Sequence, residues 1–394
     1  MKILVLNAGS SSLKYSVFDM TQTQELINGL IERIGSANAN HRFTLKSQEP
    51  QNLSIQADNH QQALQVLFDT LQQRQIIRDA RELAAVGHRV VHGGEHFTQP
   101  SVITNSVITQ IQTAARLAPL HNPANLLGIE ESMRYLAQVP QVAVFDTAFH
   151  QTMPDFAYRY ALPTTLYQQH GVRRYGFHGT SHFYVAKQAA QFLGKALTAC
   201  KLITIHLGNG ASMTAIANGE SVDTSMGLTP LEGLIMGTRS GDLDPALPFY
   251  LHRATGLEYA EIEQMLNKNS GCKGLCGEND MRAIHALAEA GDAQAKLTLN
   301  MYAYRLKKYI GAYFAALNGV DAIVFTGGIG ENDAWMRAAC CENLTTLDIV
   351  IDPNSNQKPT RPLCDISAGK LPILVINTNE ELEIAMQTQQ CLNL

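Results

Sequence analysis

The chain has 394 residues, of which 45% are hydrophobic and 16% charged, a globular composition long enough for two domains rather than one core. Thirty basic residues against thirty-five acidic ones leave a net charge of −5. That balance excludes a broad electrostatic surface for nucleic acid or an anionic membrane, so an anionic ligand has to be held by a local site.

From the N-terminus, the apolar run 3–6 turns polar at Asn7. It is too short for a signal-peptide core, and no window approaches a membrane span, so a soluble cytoplasmic protein is expected. Residues 2–19 (KILVLNAGSSSLKYSVFD) read as a strand, a Gly/Ser bend and an alternating second strand. The stretch 38–59 is polar and irregular, which predicts a surface excursion. Helical periodicity follows at 61–73 and 124–137. A domain boundary is expected near 147–155, where Met153-Pro154 follows a strand.

Another helical pattern covers 181–193. The segment 201–219 (KLITIHLGNGASMTAIANG) then repeats the strand–bend–strand grammar. Leu6-Asn7-Ala8-Gly9-Ser10 and Leu207-Gly208-Asn209-Gly210-Ala211 superpose at an offset of 201 residues, which suggests internal duplication. A long helix is expected over 293–317. Residues 321–332 (DAIVFTGGIGEN) form a buried-type strand running into glycines and then a helix to about 341. A last strand at 373–377 leads into a closing helix from near Asn379. Strands alternating with helices predict an α/β fold. The seven cysteines are scattered and odd in number, as for free thiols in a reducing compartment.

Glycines in the two bends lack a Cβ, so backbone N–H groups there can approach phosphate oxygens closely. Ser10, Ser11 and Ser12 add hydroxyls and Lys14 a charge. One such turn is simply a tight hairpin. Two of them, with Gly327-Gly328-Ile329-Gly330, point to a nucleotide. There is no G-x-x-x-x-G-K-[ST], and Asp333 stands where a dinucleotide fingerprint needs its third glycine. The remaining plan is a duplicated fold whose bends face a nucleotide across a cleft.

Arg89 lies within an apolar strand and Arg239 in a glycine-flanked loop, and a guanidinium so placed requires an anionic partner. A structural ion pair to an aspartate satisfies any one of them. His88, His92 and His96 are spaced by four, but Gly93-Gly94 argues against a helix and hence against a metal face. Asp146 ends a strand, where ligand-facing residues sit in α/β folds. His178, between Phe177 and Gly179 at a helix start, is placed for an anion.

The blocks NAGSSSLK, GHRVVHGG, FDTAFH, RYGFHGTSH, HLGNGAS, DTSMGLTPLEGLIMGTRSGDLDP, FTGGIGEN and TNEEL, in this order, resemble the acetokinase family, which contains acetate, propionate and butyrate kinases. The resemblance runs from residue 3 to about 386 and implies a duplicated actin-like, RNase H-like α/β fold. It implies an N-terminal domain of residues 1–150, joined by the closing helix at about 382–394. A second domain would cover 151–381, with the nucleotide cleft between the two. It further implies ATP and ADP as co-substrates, Mg²⁺ (or Mn²⁺) as cofactor, acetate as substrate, a homodimer, and neither nucleic acid nor membrane as partner.

The matched positions carry implied roles. Arg89 and Arg239 grip the carboxylate and the transferring phosphoryl group, His178 stabilises the transition state, and Asp146 is the catalytic acid position. Val91, Leu120, His121, Phe177 and Pro230 line the substrate pocket. Asn7 and Glu380 associate with the metal. Ser10, Ser12 and Lys14, His206, Leu207, Gly208, Asn209 and Gly210, Asp280, Met281 and Arg282, and Gly327, Gly328, Ile329, Gly330 and Glu331 contact the nucleotide. A carboxylate is already ionised at neutral pH, so such an enzyme needs charge relief more than a base. Direct in-line transfer is expected, with Asp146 orienting Arg89 or His178. Three other readings compete: a propionate-preferring kinase, a non-catalytic actin-like nucleotide-binding protein, and a sugar kinase of the same fold, which would tolerate the two arginines poorly.

Overall fold

The computed structural model describes residues 1–119 and 121–394, and it divides into two compact units: Met1–Phe149 with Asn379–Leu394, and His150–Thr378. Each is built on one mixed sheet. The first has strands β1 (Lys2–Ala8), β2 (Ser12–Asp19), β3 (Gln24–Glu32), β4 (Asn40–Leu45), β5 (Gln51–Ser54), β6 (Leu83–Val90), β7 (Ser101–Val102) and β8 (Gln141–Phe145), in the order β5-β4-β3-β2-β1-β6-β8-β7. The second has β9 (Lys201–Leu207), β10 (Ala211–Ala217), β11 (Glu220–Thr224), β12 (Ala322–Thr326), β13 (Leu363–Asp365) and β14 (Ile373–Ile376), in the order β11-β10-β9-β12-β14-β13.

The two orders share one plan. In each unit the first strand pairs antiparallel with the second and the second with the third. β1 then pairs parallel with β6 and β6 with β8, just as β9 pairs parallel with β12 and β12 with β14. A short antiparallel edge strand closes each sheet, β7 on β8 and β13 on β14. The duplication is therefore topological. The bends align differently from the sequence offset, however. Gly9 N–H bonds Ser12 O (2.8 Å) and Gly208 N–H bonds Gly210 O (2.9 Å), so Gly9 matches Gly208, two residues away from the 201-residue superposition. The second bend is also shorter by one residue: Ala8 pairs with Leu13, but Leu207 with Ala211.

Period-two alternation on β1 divides its side chains between two cores. Leu4, Leu6 and Ala8 pack with Leu64, Leu67 and Leu71 of helix His60–Gln73. Ile3 and Val5 pack with Ile384 and Ala385 of the closing helix Glu380–Leu392. Burying such aliphatic side chains stabilises by about 1.5–3 kcal/mol each. Gly87 lets that helix approach β6, since a Cβ there would meet Thr388 Oγ1 at 2.4 Å and Ile384 Cγ2 at 2.8 Å.

The stretch 38–59 is not an excursion but two strands, β4 and β5. Within β4, His41 and Phe43 are buried and Arg42 is exposed, and His41 Nε2 bonds the Tyr15 hydroxyl (2.8 Å). The alternation is a strand's, but it is written with a histidine, so apolar periodicity alone misses it. Helices His60–Gln73, Asn122–Tyr135, Gly179–Phe192 and Ala293–Leu317 stand where periodicity predicts helix. Among the described residues no helix is long and apolar enough to cross a membrane.

Candidate active site

In the first unit, the parallel pairing of β6 with β8 brings Arg89 to the residue that follows β8. Arg89 Nε donates to Asp146 Oδ1 (3.2 Å), and a terminal guanidinium nitrogen donates to Oδ2, a two-pronged ion pair. Asp146 is 1% exposed, and its N–H bonds Val90 O (3.0 Å). Glu380, at the start of the closing helix, lies 3.9 Å from Arg89 Nε. Burial, reinforced by Glu380, pushes the Asp146 carboxyl above the usual carboxylate range despite the Arg89 charge. Two carboxylates thus share one guanidinium. Lys14 pairs instead with Glu381, and Ser10 is exposed on the β1–β2 bend, where Ser12 is half-buried. Asn7 stands opposite Lys14 near the end of β1.

The segment after β6 is held by helix Asn122–Tyr135. Asn125 Oδ1 accepts from Val91 N–H and Asn122 Oδ1 from His92 N–H, both at 3.0 Å. Asn125 also donates to Ala8 O (2.8 Å), and Thr147 Oγ1 accepts from Gly93 N–H (3.0 Å). Val91 is consequently buried in a fixed backbone. His121 occupies the cap position of that helix, and Leu120 lies outside the described residues. Asn122 and Asn125 were not foreseen, although the run His121-Asn122-Pro123-Ala124-Asn125 puts both amides on one helix face. The three histidines diverge. His88 bonds Gln141 (2.7 Å), His92 Nδ1 accepts from Gly94 N–H (3.0 Å), and His96 is exposed.

In the second unit, the β9–β10 bend gathers another set. A Cβ on Gly210 would lie 3.5 Å from His178 Nε2 and 3.6 Å from an Arg239 terminal nitrogen. His178 takes the left-handed conformation (φ 56°) at the cap of helix Gly179–Phe192, an uncommon backbone for a non-glycine residue that concentrates at functional sites. Its ring stacks on His206 with centroids 4.5 Å apart. His206 Nδ1 is fixed by Ser181 Oγ (2.8 Å). Phe177 is buried, and its carbonyl accepts from His150 Nε2 (2.9 Å).

Arg239 differs from Arg89. Its guanidinium donates to Pro230 O (3.0 Å) and touches Met236 Sδ (3.7 Å), and among the described residues it forms no ion pair with a carboxylate. Burial lowers its pKa, with no opposing charge to raise it. A half-buried cation without a counter-ion is an anion site in waiting.

A cavity of about 920 Å³ opens beside this bend, the right size for a nucleotide. Gly208, Asn209, Asp280, Met281, Arg282, Gly328 and Ile329, all given by the resemblance as nucleotide contacts, line it. Asn279, His285, Asp333 and Trp335 line it too and were not anticipated. Trp335, the chain's one tryptophan, meets His285 edge-on at 5.4 Å.

Gly327, Gly330 and Glu331 do not line the cavity; they hold the loop that does. Gly327 has φ +77°, and a Cβ there would meet Leu207 O at 2.7 Å. Gly330 O accepts from Arg337 (2.9 Å), a fully buried arginine also bound to Asn356. The Glu331 carboxylate accepts from Gly327 N–H and Thr378 N–H and pairs with Arg361. Leu207 is fully buried behind the bend.

The acetokinase family model matches residues 2–386. The chain is 52% identical to the acetate kinase of Sulfurovum sp., over 99% of this chain and 98% of that protein. Its structure is similar to that of Porphyromonas gingivalis acetate kinase, with TM-score 0.95 and 44% identity over 99% of both chains. It is similar also to a propionate kinase of Francisella tularensis, with TM-score 0.93 and 43% identity over 99% of both. The duplicated α/β fold expected as actin-like is thus the fold of these kinases. With a family match from residue 2 to 386 and full-length relatives at such identity, this chain belongs to the acetokinase family.

Proposed function

We propose that this chain is an acetate kinase, transferring the γ-phosphoryl group of ATP reversibly to the carboxylate of acetate to give acetyl phosphate and ADP. The observation that carries the reading is Arg239, a half-buried guanidinium without a carboxylate partner, converging with His178 on the Gly210 bend beside a nucleotide-sized cavity. The full-length acetate kinase relatives support it.

The acceptor carboxylate is a ready nucleophile. The barrier is repulsion between it and a polyanionic phosphate tail, and it is lowered by cationic and N–H groups positioned in advance. In this reading Arg239 and His178 neutralise the transferring phosphoryl group, and the Gly208–Gly210 and Gly328 backbones receive the phosphates. Arg89, held by both prongs of Asp146, orients the acetate carboxylate. Asp146 is committed to that ion pair, so transfer is direct and in line, without a phospho-aspartate. An actin-like binding protein without catalysis would have no use for these arginines.

A divalent cation, Mg²⁺ in this reading with Mn²⁺ as substitute, supplies charge neutralisation on the nucleotide phosphates. The donor set fits such an ion. Glu380 brings surplus negative charge beside Asp146, and Asn7 offers a neutral oxygen. Among the described residues no cluster of three or more His, Cys, Asp or Glu could form a cage, which suits a hard cation held largely by substrate oxygens and water. Exposed Phe249, Tyr250 and Tyr259 on two successive helices, with Phe156 and Tyr304, support a homodimer through the second unit.

Val91 sets the acyl length in this reading. Acetate is then preferred over propionate, modestly, since one methylene is worth about 1–3 kcal/mol. The propionate kinase neighbour makes the opposite preference the second reading. Comparing kcat/KM for acetate, propionate and butyrate decides between them, and Val91→Ala should shift the ratio toward propionate by roughly tenfold. A native enzyme that prefers propionate overturns the role of Val91.

Trp335 gives a direct handle on the nucleotide. Titrating Mg-ADP should change its emission saturably, and Trp335→Phe should abolish the signal with kcat changed less than about threefold. Unchanged emission under conditions of ADP-dependent turnover would remove the cavity from the nucleotide path.

A further inference from the structure

The face of β9 and β10 that receives helix Gly179–Phe192 carries a chain of hydrogen bonds ending on His178. Thr204 Oγ1 lies 2.8 Å from His182 Nδ1, His182 Nε2 lies 2.7 Å from Ser212 Oγ, and Ser212 Oγ lies 2.9 Å from His178 Nδ1. Strand geometry assembles it. Thr204 and His206 share a face of β9, and Ser212 stands opposite His206 on β10, so all three project toward the helix that carries His178 and His182. Thr204, His182 and Ser212 are wholly buried.

Counting protons orients this chain. Among the described residues, His182 Nδ1 is the only acceptor in hydrogen-bond reach of the Thr204 hydroxyl. Were His182 to donate to Thr204 instead, a buried O–H would lose its partner and carry its full desolvation penalty. Thr204 therefore donates, and His182 Nδ1 accepts. Burial, with His150 and His206 nearby, holds His182 well below the usual histidine range, so its ring is neutral and its one proton sits on Nε2. That N–H donates to Ser212 Oγ. The single hydroxyl proton of Ser212 is then directed at His178 Nδ1, which accepts it.

We infer that Thr204, His182 and Ser212 are positioning residues that hold His178 as the Nε2–H tautomer, so that its outer nitrogen offers an N–H rather than a lone pair to the transferring phosphoryl group. The reversed chain would present a lone pair to an anion, which repels it. Ser181 completes the arrangement by fixing His206, on which the His178 ring stacks. The inference deepens the role given to His178 above and rests on it.

The test combines kinetics with ring-nitrogen spectroscopy. Thr204→Val keeps the shape and removes the O–H, while Thr204→Ser restores it. Thr204→Val should lower kcat by roughly tenfold or more, with KM for acetate and ATP within about twofold, and Thr204→Ser should return to within about threefold of native. In ¹⁵N-histidine-labelled native enzyme, the His178 resonances should report a protonated Nε2 and an unprotonated Nδ1, and Thr204→Val should shift them toward the other tautomer. Native kcat in Thr204→Val, or a protonated Nδ1 on neutral His178, overturns the inference. Should Thr204→Val not fold, the native spectrum decides alone. A native enzyme that formed no acyl phosphate would remove the acetate kinase reading, and the tautomer would still be read independently.

Discussion

Arg239→Ala is expected to lower kcat by about 10³-fold while KM for ATP stays within a few-fold, the signature of a group that acts chiefly in the transition state. The structure distinguishes this arginine from others in its unit. Arg174 donates to Glu232 and to three backbone carbonyls, and Arg337 is enclosed by Asn356 and the Gly330 carbonyl. Among the described residues Arg239 has one carbonyl partner, a Met236 Sδ contact and no counter-ion, at a bend where His178 converges. Its charge is available to an incoming anion. Removing it should leave the fold intact, because little of the protein leans on it. Arg239→Lys should recover only part of the loss, since an ammonium cannot reproduce the planar fork. Retention of more than a tenth of native kcat by Arg239→Ala would remove Arg239 from the phosphoryl-transfer step.

Asp146→Asn should reduce kcat/KM for acetate by roughly 10²-fold and also destabilise the chain by about 1–3 kcal/mol. The two effects share one cause. The substitution keeps the shape but turns one acceptor into an amide N–H facing the Arg89 fork, and it removes the counter-charge of a largely buried cation. The stability effect is held below that of a wholly buried pair because the Arg89 side chain keeps 20% of its surface in solvent. Denaturant unfolding and steady-state kinetics on one preparation measure both. An Asn variant with native stability and native kcat/KM would show that Arg89 is held some other way. Rapid quench offers a second check. A phospho-Asp146 that forms and decays at the turnover rate would replace direct transfer with a two-step mechanism.

Much of the plan was legible in the residues, because bends and strands advertise themselves. The Gly9 and Gly208 bends, the Gly327 loop and the main helices are local patterns, and the motif order carried the family. Several things were not legible, each for a reason. The partner of Asp146 stayed open between Arg89 and His178, because the ion pair with Arg89 spans 57 residues, and the hydrogen bond from Asn125 to Ala8 spans 117; only parallel strand pairing and helix docking bring them together. Strand β4 hid behind a buried histidine. The family resemblance gives Glu331 as a nucleotide contact, and what no spacing shows is that its carboxylate accepts from the Gly327 and Thr378 amides and pairs with Arg361. Trp335, a large aromatic just past the loop, lines the cavity with no motif to mark it in the sequence. Sequence spacing marks where a loop turns, but which side chains it presents depends on neighbours the spacing does not name.

In the proposed reaction this chain phosphorylates a carboxylate. Acetate, ATP and Mg²⁺ with the native enzyme in hydroxylamine test it most directly, because acyl phosphate is trapped as hydroxamate. Acetohydroxamate should form in step with ADP release, dependent on enzyme, ATP and the divalent cation, and be nearly absent with Arg239→Ala. Absence of hydroxamate from acetate, propionate and butyrate alike, with ATP still bound, would contradict it.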